Sequence, residues 1–291
     1  MKPAAFTYHC PHRLDEALAL LGKHENARLL AGGQSLVPML NLRLATPEHL
    51  IDLGRIGDLV GITQIGDRIV LGAMTTQRAI ERSPLIAKLC PLLTEAIEHV
   101  GHQQTRNRGT IGGSLCHLDP AAELPVVAAA LDATLVVTGK SGERRIPFAE
   151  FPAGYLTSQL HSDEILTRVE FPVLGPDAGS AFLEFSRRPA DFAIVSIATA
   201  LTLADNGNIR DAGIAIGGLG PAPVRLSAAE KVLRGRKPNA ASADDAVATI
   251  DACPAEGDAL YPASYRLELA AALTRRALGK AFARLRSATD G

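Results

Sequence analysis

The chain contains no tryptophan, and its four tyrosines and eight phenylalanines make up only 4% of 291 residues. Proteins that hold single-stranded nucleic acid stack bases on aromatic side chains, and so thin a supply argues against that class. An excess of one charge is also lacking, with 30 Lys and Arg against 31 Asp and Glu. A general nucleic-acid binder needs a basic face to displace counterions from phosphates, so no nucleic-acid partner is expected. No apolar run approaches the roughly 18 residues of a membrane-spanning helix. The opening stretch Met1 to His9 has no continuous apolar core, so no secretory signal is expected. Cysteine is scarce: Cys10, Cys90, Cys116 and Cys253 stand too far apart for any CxxC pair. Neither a zinc knuckle nor an iron–sulfur loop is therefore encoded, and the four read as reduced thiols of a cytoplasmic protein. With 47% hydrophobic and 21% charged residues, the chain is not of the disordered class. Its length suits two domains or three small ones.

Hydrophobic periodicity divides what is present. Residues 6–53 read as strand, helix, strand, short helix, strand, with Leu14, Ala17, Leu18 and Leu21 on one helical face and Ser35 placed to cap Leu36–Leu44. From residue 55 the texture changes. Leu59–Ile65 and Arg68–Leu71 form an expected hairpin around Gly66-Asp67, Thr75 is expected to cap a helix, Ala87–Val100 reads as one helical stretch, and His102–Arg108 as a polar loop. A helix over Glu123–Leu131 and strands over Ala133–Thr138 and Ile165–Phe171 follow. Pro172–Gly179 is the clearest linker signal. Beyond it lie three strands, Ala181–Arg187, Ala193–Ala204 and Ile209–Gly217, and then Ala-rich helices over 226–235, 242–253 and 264–286. Strands followed by helices imply an α+β unit. The expected division is 1–54, 55–173 and 180–288.

Two double-glycine loops carry the chemistry. Ala31-Gly32-Gly33-Gln34-Ser35 follows a strand, and Thr110-Ile111-Gly112-Gly113-Ser114 follows the basic Arg106-Asn107-Arg108. Backbone N–H groups hold phosphates without side-chain entropy loss, and glycine permits both close approach and the positive φ of an anion nest. Alone, either pair makes a tight turn. Together, each ending in serine, they can clasp a pyrophosphate from both sides. Neither loop contains GxGxxG or a Gly-Lys-Ser/Thr P-loop. Arg106 and Arg108 either balance phosphate charge or form a solvated surface loop. Glu123, at a helix start, either accepts hydrogen bonds from a ribose diol or serves the helix dipole. Cys116, His117 and Asp119 cannot all face one ion, so no metal site is expected. No GxSxG elbow supports a hydrolase triad.

Leu29–Leu36, Arg106–Leu115, Asp119–Pro125 and the block Ser180–Val195 resemble, in order and over nearly the whole chain, the FAD-binding medium subunit of molybdenum hydroxylases. That is the family of xanthine dehydrogenase and aerobic carbon monoxide dehydrogenase. The resemblance implies an α+β protein: a two-subdomain FAD-binding domain of the PCMH type and an α+β C-terminal domain of the carbon monoxide dehydrogenase flavoprotein type. It implies electron transfer from two [2Fe–2S] clusters on a small partner subunit, fed by a molybdopterin cofactor on a large one, to an external acceptor, within a dimer of heterotrimers. Four cysteines exclude those clusters from this chain. The resemblance places Ala31, Gly32, Gly33, Gln34 and Ser35, with Thr110, Gly112, Gly113 and Ser114, on the FAD pyrophosphate, and counts Leu30 and Ile111 beside them among the FAD-binding residues. It places Val100 against FAD, and Glu123 and Leu166 toward its adenosine end. Glu184 stands where several relatives carry Lys, and Gln34 where one branch carries His. His99-Val100-Gly101-His102-Gln103 is similar to the branch that hydroxylates N-heteroaromatics. No acid–base catalytic residue is implied. Other readings are a scaffold subunit with a degenerate flavin site and a stand-alone flavin reductase.

Overall fold

The computed structural model describes residues 1–175 and 177–289, without the side chains of 286–289. Strand β1 (Thr7–His9), helix α1 (Leu14–Lys23), β2 (Ala27–Leu30), α2 (Leu36–Asn41) and β3 (His49–Asp52) come first. The strands are parallel, in the order β1-β3-β2, because each connection carries the chain back to the same end of the sheet. Ala17 and Ile51, both fully buried, form the centre of a small core that also takes in Ile56, Leu59, Met74 and Ile165. This core thus extends past residue 54 into the second segment.

The second segment supplies β4 (Ile62–Ile65), β5 (Arg68–Gly72), α3 (Gln77–Glu81), α4 (Pro84–Leu89), α5 (Pro91–His99), α6 (Gln103–Arg108), α7 (Ile111–His117) and α8 (Glu123–Ala130). It continues with β6 (Thr134–Gly139), β7 (Gly142–Pro147), a short β8–β9 ribbon (Pro152–Gly154 and Thr157–Ser158) and β10 (Ile165–Pro172). Five strands pair antiparallel in the order β4-β5-β10-β6-β7. The third segment is an antiparallel meander, β11 (Ala178–Ser186), β12 (Ala193–Leu203), β13 (Ile209–Gly217) and β14 (Val224–Arg225). Helices α9 (Ser227–Leu233), α10 (Ala240–Val247) and α11 (Ala263–Thr289) follow it. The architecture is α+β.

Helix α8 joins the second and third segments. Its residues Glu123, Leu124, Pro125, Val126, Val127, Ala128 and Ala130 are all buried, as a helix apolar on every side requires. It packs against α5 on one side and β12 and β13 on the other. The largest core accordingly includes Phe182, Ala198, Ala200 and Ala215 from the meander. At the same junction Glu95 accepts from the Phe182 N–H at 2.9 Å and pairs with Lys280 at 3.3 Å and with Arg284. Among the described residues no helix is long and apolar enough to cross a membrane.

Several local expectations need correction. Residues 102–108 are not a loop: α6 occupies Gln103–Arg108, its polar composition reflecting exposure rather than irregularity. The stretch 87–100 is broken at Cys90, where Pro91 removes an N–H and starts a new helix. Thr76, not Thr75, caps α3, accepting from the Ala79 N–H at 3.2 Å. Thr75 is instead turned inward to Gly61. Ser35 makes no side-chain cap, and α2 ends at Asn41 rather than Leu44. Strand β4 starts at Ile62, since Gly57–Leu59 forms a 3-10 turn. Strand β7 lies where the sequence gives no strand signal, because its arginines and glutamate hide the alternation. Of the linker Pro172–Gly179, β10 and β11 take both ends, and residue 176 lies outside the described residues.

Candidate functional site

The site is built on the edge where β5 ends. The Thr167 carbonyl of β10 accepts from the Ala73 N–H at 2.9 Å, continuing the β5–β10 ladder one residue past the Gly72–Arg168 pair. The Ala73 carbonyl accepts from Gly112 N–H at 2.9 Å, and the Thr75 carbonyl from Ile111 N–H at 3.1 Å. The second glycine loop is thereby fastened to the five-stranded sheet. Thr110 Oγ1 caps α7 by accepting from the Gly113 N–H at 3.0 Å. A Cβ at Gly112 would lie 2.7 Å from the Ala73 Cβ and carbonyl oxygen, so a larger residue there would lift the loop off its support.

The first glycine loop lies across the second. A Cβ on Gly32 would come within 2.0 Å of the Arg108 carbonyl oxygen, and one on Gly113 within 3.4 Å of the Ala31 Cβ. The two loops expected to face each other do so. Gly33 has φ +75°, a region closed to most side chains. Among the described residues the N–H groups of Gly32, Gly33, Gln34 and Ser35 meet no acceptor of the chain, while the Gln34 side chain donates to the Gly32 carbonyl at 3.2 Å. The two loops therefore differ: the N–H groups of Ile111, Gly112, Gly113 and Ser114 are spent within the chain, and those of the first loop are available. Consecutive outward N–H groups next to a positive-φ glycine are the chemistry of a phosphate nest.

Residues 4–174 match the FAD binding domain in molybdopterin dehydrogenase, and residues 180–281 the C-terminal domain of CO dehydrogenase flavoprotein. The chain belongs to the FAD-binding subunits of the molybdopterin dehydrogenases. It is 38% identical to the 6-hydroxypseudooxynicotine dehydrogenase complex subunit alpha of Paenarthrobacter nicotinovorans, over 98% of this chain and 97% of that protein. It superposes with a TM-score of 0.94 at 36% identity on a chain of carbon monoxide dehydrogenase from Hydrogenophaga pseudoflava, covering 98% of this chain and 99% of that one. On quinoline 2-oxidoreductase from Pseudomonas putida 86 the TM-score is 0.92 at 35% identity, with 99% of each chain covered.

The remaining candidates of this FAD-binding subunit are Val100, Leu166, Glu123 and Glu184. Val100 follows α5 and is 9% exposed, and Leu166 in β10 is 4% exposed. Leu166 adjoins the Thr167 carbonyl on which the second loop is hung. His99 Nδ1 lies 3.4 Å from Glu184 Oε1, and the Glu184 side chain is only 4% exposed. Glu184 Oε2 is buried with no hydrogen-bond partner among the described residues. Burial first, and then the charges of Glu184 and Asp119, push Glu123 up to about 8, against its own backbone N–H and, more weakly, His99. Burial thus favours the protonated carboxyl, which can donate as well as accept a hydrogen bond. The Glu184 hydrogen bond holds His99 above the usual imidazole range, against its partial burial. Among the described residues no hydrogen bond or ion pair joins Glu184 to either glycine loop.

Arg106 is neither a phosphate clamp nor a solvated side chain. It donates to Glu81 at 3.0 and 3.3 Å and to the Val100 and Gly101 carbonyls at 3.1 and 2.9 Å. Arg108 is exposed. His117 Nε2 lies 4.0 Å from Asp119 Oδ2, and burial pushes the Cys116 thiol up to about 12, the mark of an inert thiol. Ala73, Thr75, Glu81 and Thr167 hold the site together, and of these the sequence signals only Thr75, and that as a helix cap. The first two and Thr167 act through backbone carbonyls, which leave no signature in residue type. Glu81 could have been suspected only from its i,i+3 spacing to Arg78.

Proposed function

We propose that this chain is the FAD-binding electron-transfer subunit of a three-component molybdenum hydroxylase. In this reading a small partner subunit with two [2Fe–2S] clusters delivers electrons that arise at the molybdopterin cofactor of a large partner. The flavin passes them to an external acceptor. The observation that carries the reading is the pair of adjoining glycine loops, one with four N–H groups that meet no acceptor of the chain among the described residues. FAD supplies the redox chemistry; the protein supplies binding, orientation and electrostatics. Gly32, Gly33, Gln34 and Ser35 would hold the pyrophosphate through N–H groups, with Leu30 and Ala31 leading the chain from β2 into the loop. Thr110 and Ser114 would add hydroxyls, with Ile111, Gly112 and Gly113 furnishing the floor. Val100 would pack against FAD, and Leu166, Glu123 and Glu184 would shape the pocket farther along it. These contacts imply a division of labour between residues 1–54, 55–173 and 180–288.

Relatives named for 6-hydroxypseudooxynicotine and quinoline favour an N-heteroaromatic substrate for the complex. The assembly we infer is a dimer of heterotrimers in the cytoplasm, docked partly through α6, with an interface of permanent-complex size, on the order of 2,000 Å². The decisive experiment is co-expression of the three chains with Gly33→Val and Gly113→Val in this one. Loss of FAD together with loss of acceptor reduction is expected. Retained assembly and turnover without flavin would overturn the reading in favour of a scaffold subunit.

A further inference from the structure

Far from the glycine loops, three histidines that are distant in sequence meet. His9 ends β1, His24 follows α1, and His49 opens β3. The parallel register sets Thr7 beside His49 and His9 beside Ile51. His9 and His49 therefore project from the same face, since side chains alternate along a strand. His9 Nε2 and His49 Nδ1 are 3.0 Å apart. The His24 ring stacks on His49 with centroids 3.7 Å apart and lies 5.3 Å from His9. One ring nitrogen from each lies within 4.8 Å of the others, and all three residues are half-buried.

We propose that His9, His24 and His49 form a binding site for a late first-row divalent cation of the Zn2+ type. Tetrahedral coordination at zinc–nitrogen distances of about 2.0–2.1 Å sets neighbouring ligand nitrogens roughly 3.3 Å apart. The His9–His49 pair is already close to that separation. His24 reaches it by turning about its side-chain torsions out of the stack, which its half-exposed position allows. A water completes four ligands. The donor set is entirely imidazole nitrogen, which selects zinc, copper or nickel and disfavours calcium and magnesium, whose ligands are oxygens. A ligand histidine must be neutral, which makes uptake of the ion stronger as pH rises through the imidazole range.

The site is distinct from the flavin loops. His24 and His49 lie at the start of β2 and β3, whereas Gly32 and Gly33 follow the far end of β2. The three steps from Ala27 to Leu30 along β2 put about 10 Å between its two ends. A bound ion would tie β1, the α1–β2 turn and β3 together and so stabilise the small parallel sheet that carries the first glycine loop.

The test uses the full FAD-loaded chain, stripped with chelator and titrated with Zn2+ near pH 7.5, where free imidazole is neutral. The expected result is one saturable site per chain, weakened at least about tenfold by His9→Gln and by His24→Gln. His161→Gln, at a side chain 72% exposed and outside the cluster, should leave it unchanged. Co2+ in place of Zn2+ should give the ligand-field bands of a tetrahedral site, lost in both cluster variants. Circular dichroism of the metal-free variants confirms that they fold. Absence of saturable uptake overturns the proposal. So does uptake that either cluster variant leaves unchanged, which would assign the ion to other side chains.

Discussion

Replacing Gly32 by alanine tests whether contact between the two loops, rather than glycine flexibility, makes the flavin site. The added Cβ would lie 2.0 Å from the Arg108 carbonyl oxygen and 2.8 Å from Gly109 Cα. Ordinary contacts of a Cβ begin near 3.4 Å, so the two segments must part by about 1.4 Å, and backbone atoms cannot yield as a flexible side chain would. Overpacking of this kind costs about 1–3 kcal/mol of stability. It also displaces the N–H groups of Gly32 to Ser35 from the second loop, and misplacement on the order of 1 Å can cost about 100-fold where geometry matters. Gly32→Ala is therefore expected to weaken FAD binding by between about 10- and 100-fold, read by fluorescence titration of the deflavinated chain. Gly57→Ala is the control, since a Cβ there meets nothing within 4 Å; it should bind FAD like the parent chain. If Gly32→Ala binds FAD within about twofold of the parent, the facing-loop account of the site is wrong.

Other expectations follow from the same contacts. Arg106→Ala removes charge-assisted bonds to Glu81 and to the Val100 and Gly101 carbonyls from a side chain only 12% exposed. It should lower urea-denaturation stability by about 2–3 kcal/mol, and a loss under half of that would show the bonds to be incidental. Glu123 is raised to about 8 in the folded chain against about 4.3 when unfolded. The folded state thus binds the extra proton between these values. Its contribution to stability is complete below pH 4 and falls as pH rises through 8, with a slope of at most about 1.4 kcal/mol per pH unit. Glu123→Gln should flatten the decline of apo-chain stability between about pH 5.5 and 7.5; an unchanged slope would remove Glu123 from the account. Glu184→Gln removes the carboxylate that holds His99 up, so the His99 titration followed by NMR should move to lower pH. A His99 titration that stays in place would show that the Glu184 contact does not operate.

The sequence alone determined the order and type of most elements, the α+β class and the two glycine loops. These rest on local properties: apolar period, turn residues, and glycines where a Cβ has no room. Exclusions based on composition were equally local, such as the two Cys₄ clusters that four scattered cysteines cannot supply. Where side-chain character misled, the reason was also local. Helix α6 carries only polar residues because it is exposed, and β7 hides its alternation behind Arg144 and Arg145, which pair with Glu164 and Glu170.

Tertiary structure alone decided which glycine loop keeps N–H groups available, because that depends on where the carbonyls of Ala73, Thr75 and Thr167 come to rest. It also decided that Arg106 belongs to Glu81, that Glu184 meets His99, and that Glu123 is buried enough to hold a proton. The meeting of His9, His24 and His49 is the plainest case. Their separations match no ligand motif, and only the parallel pairing of β1 with β3, together with the turn that ends α1, brings the three rings together.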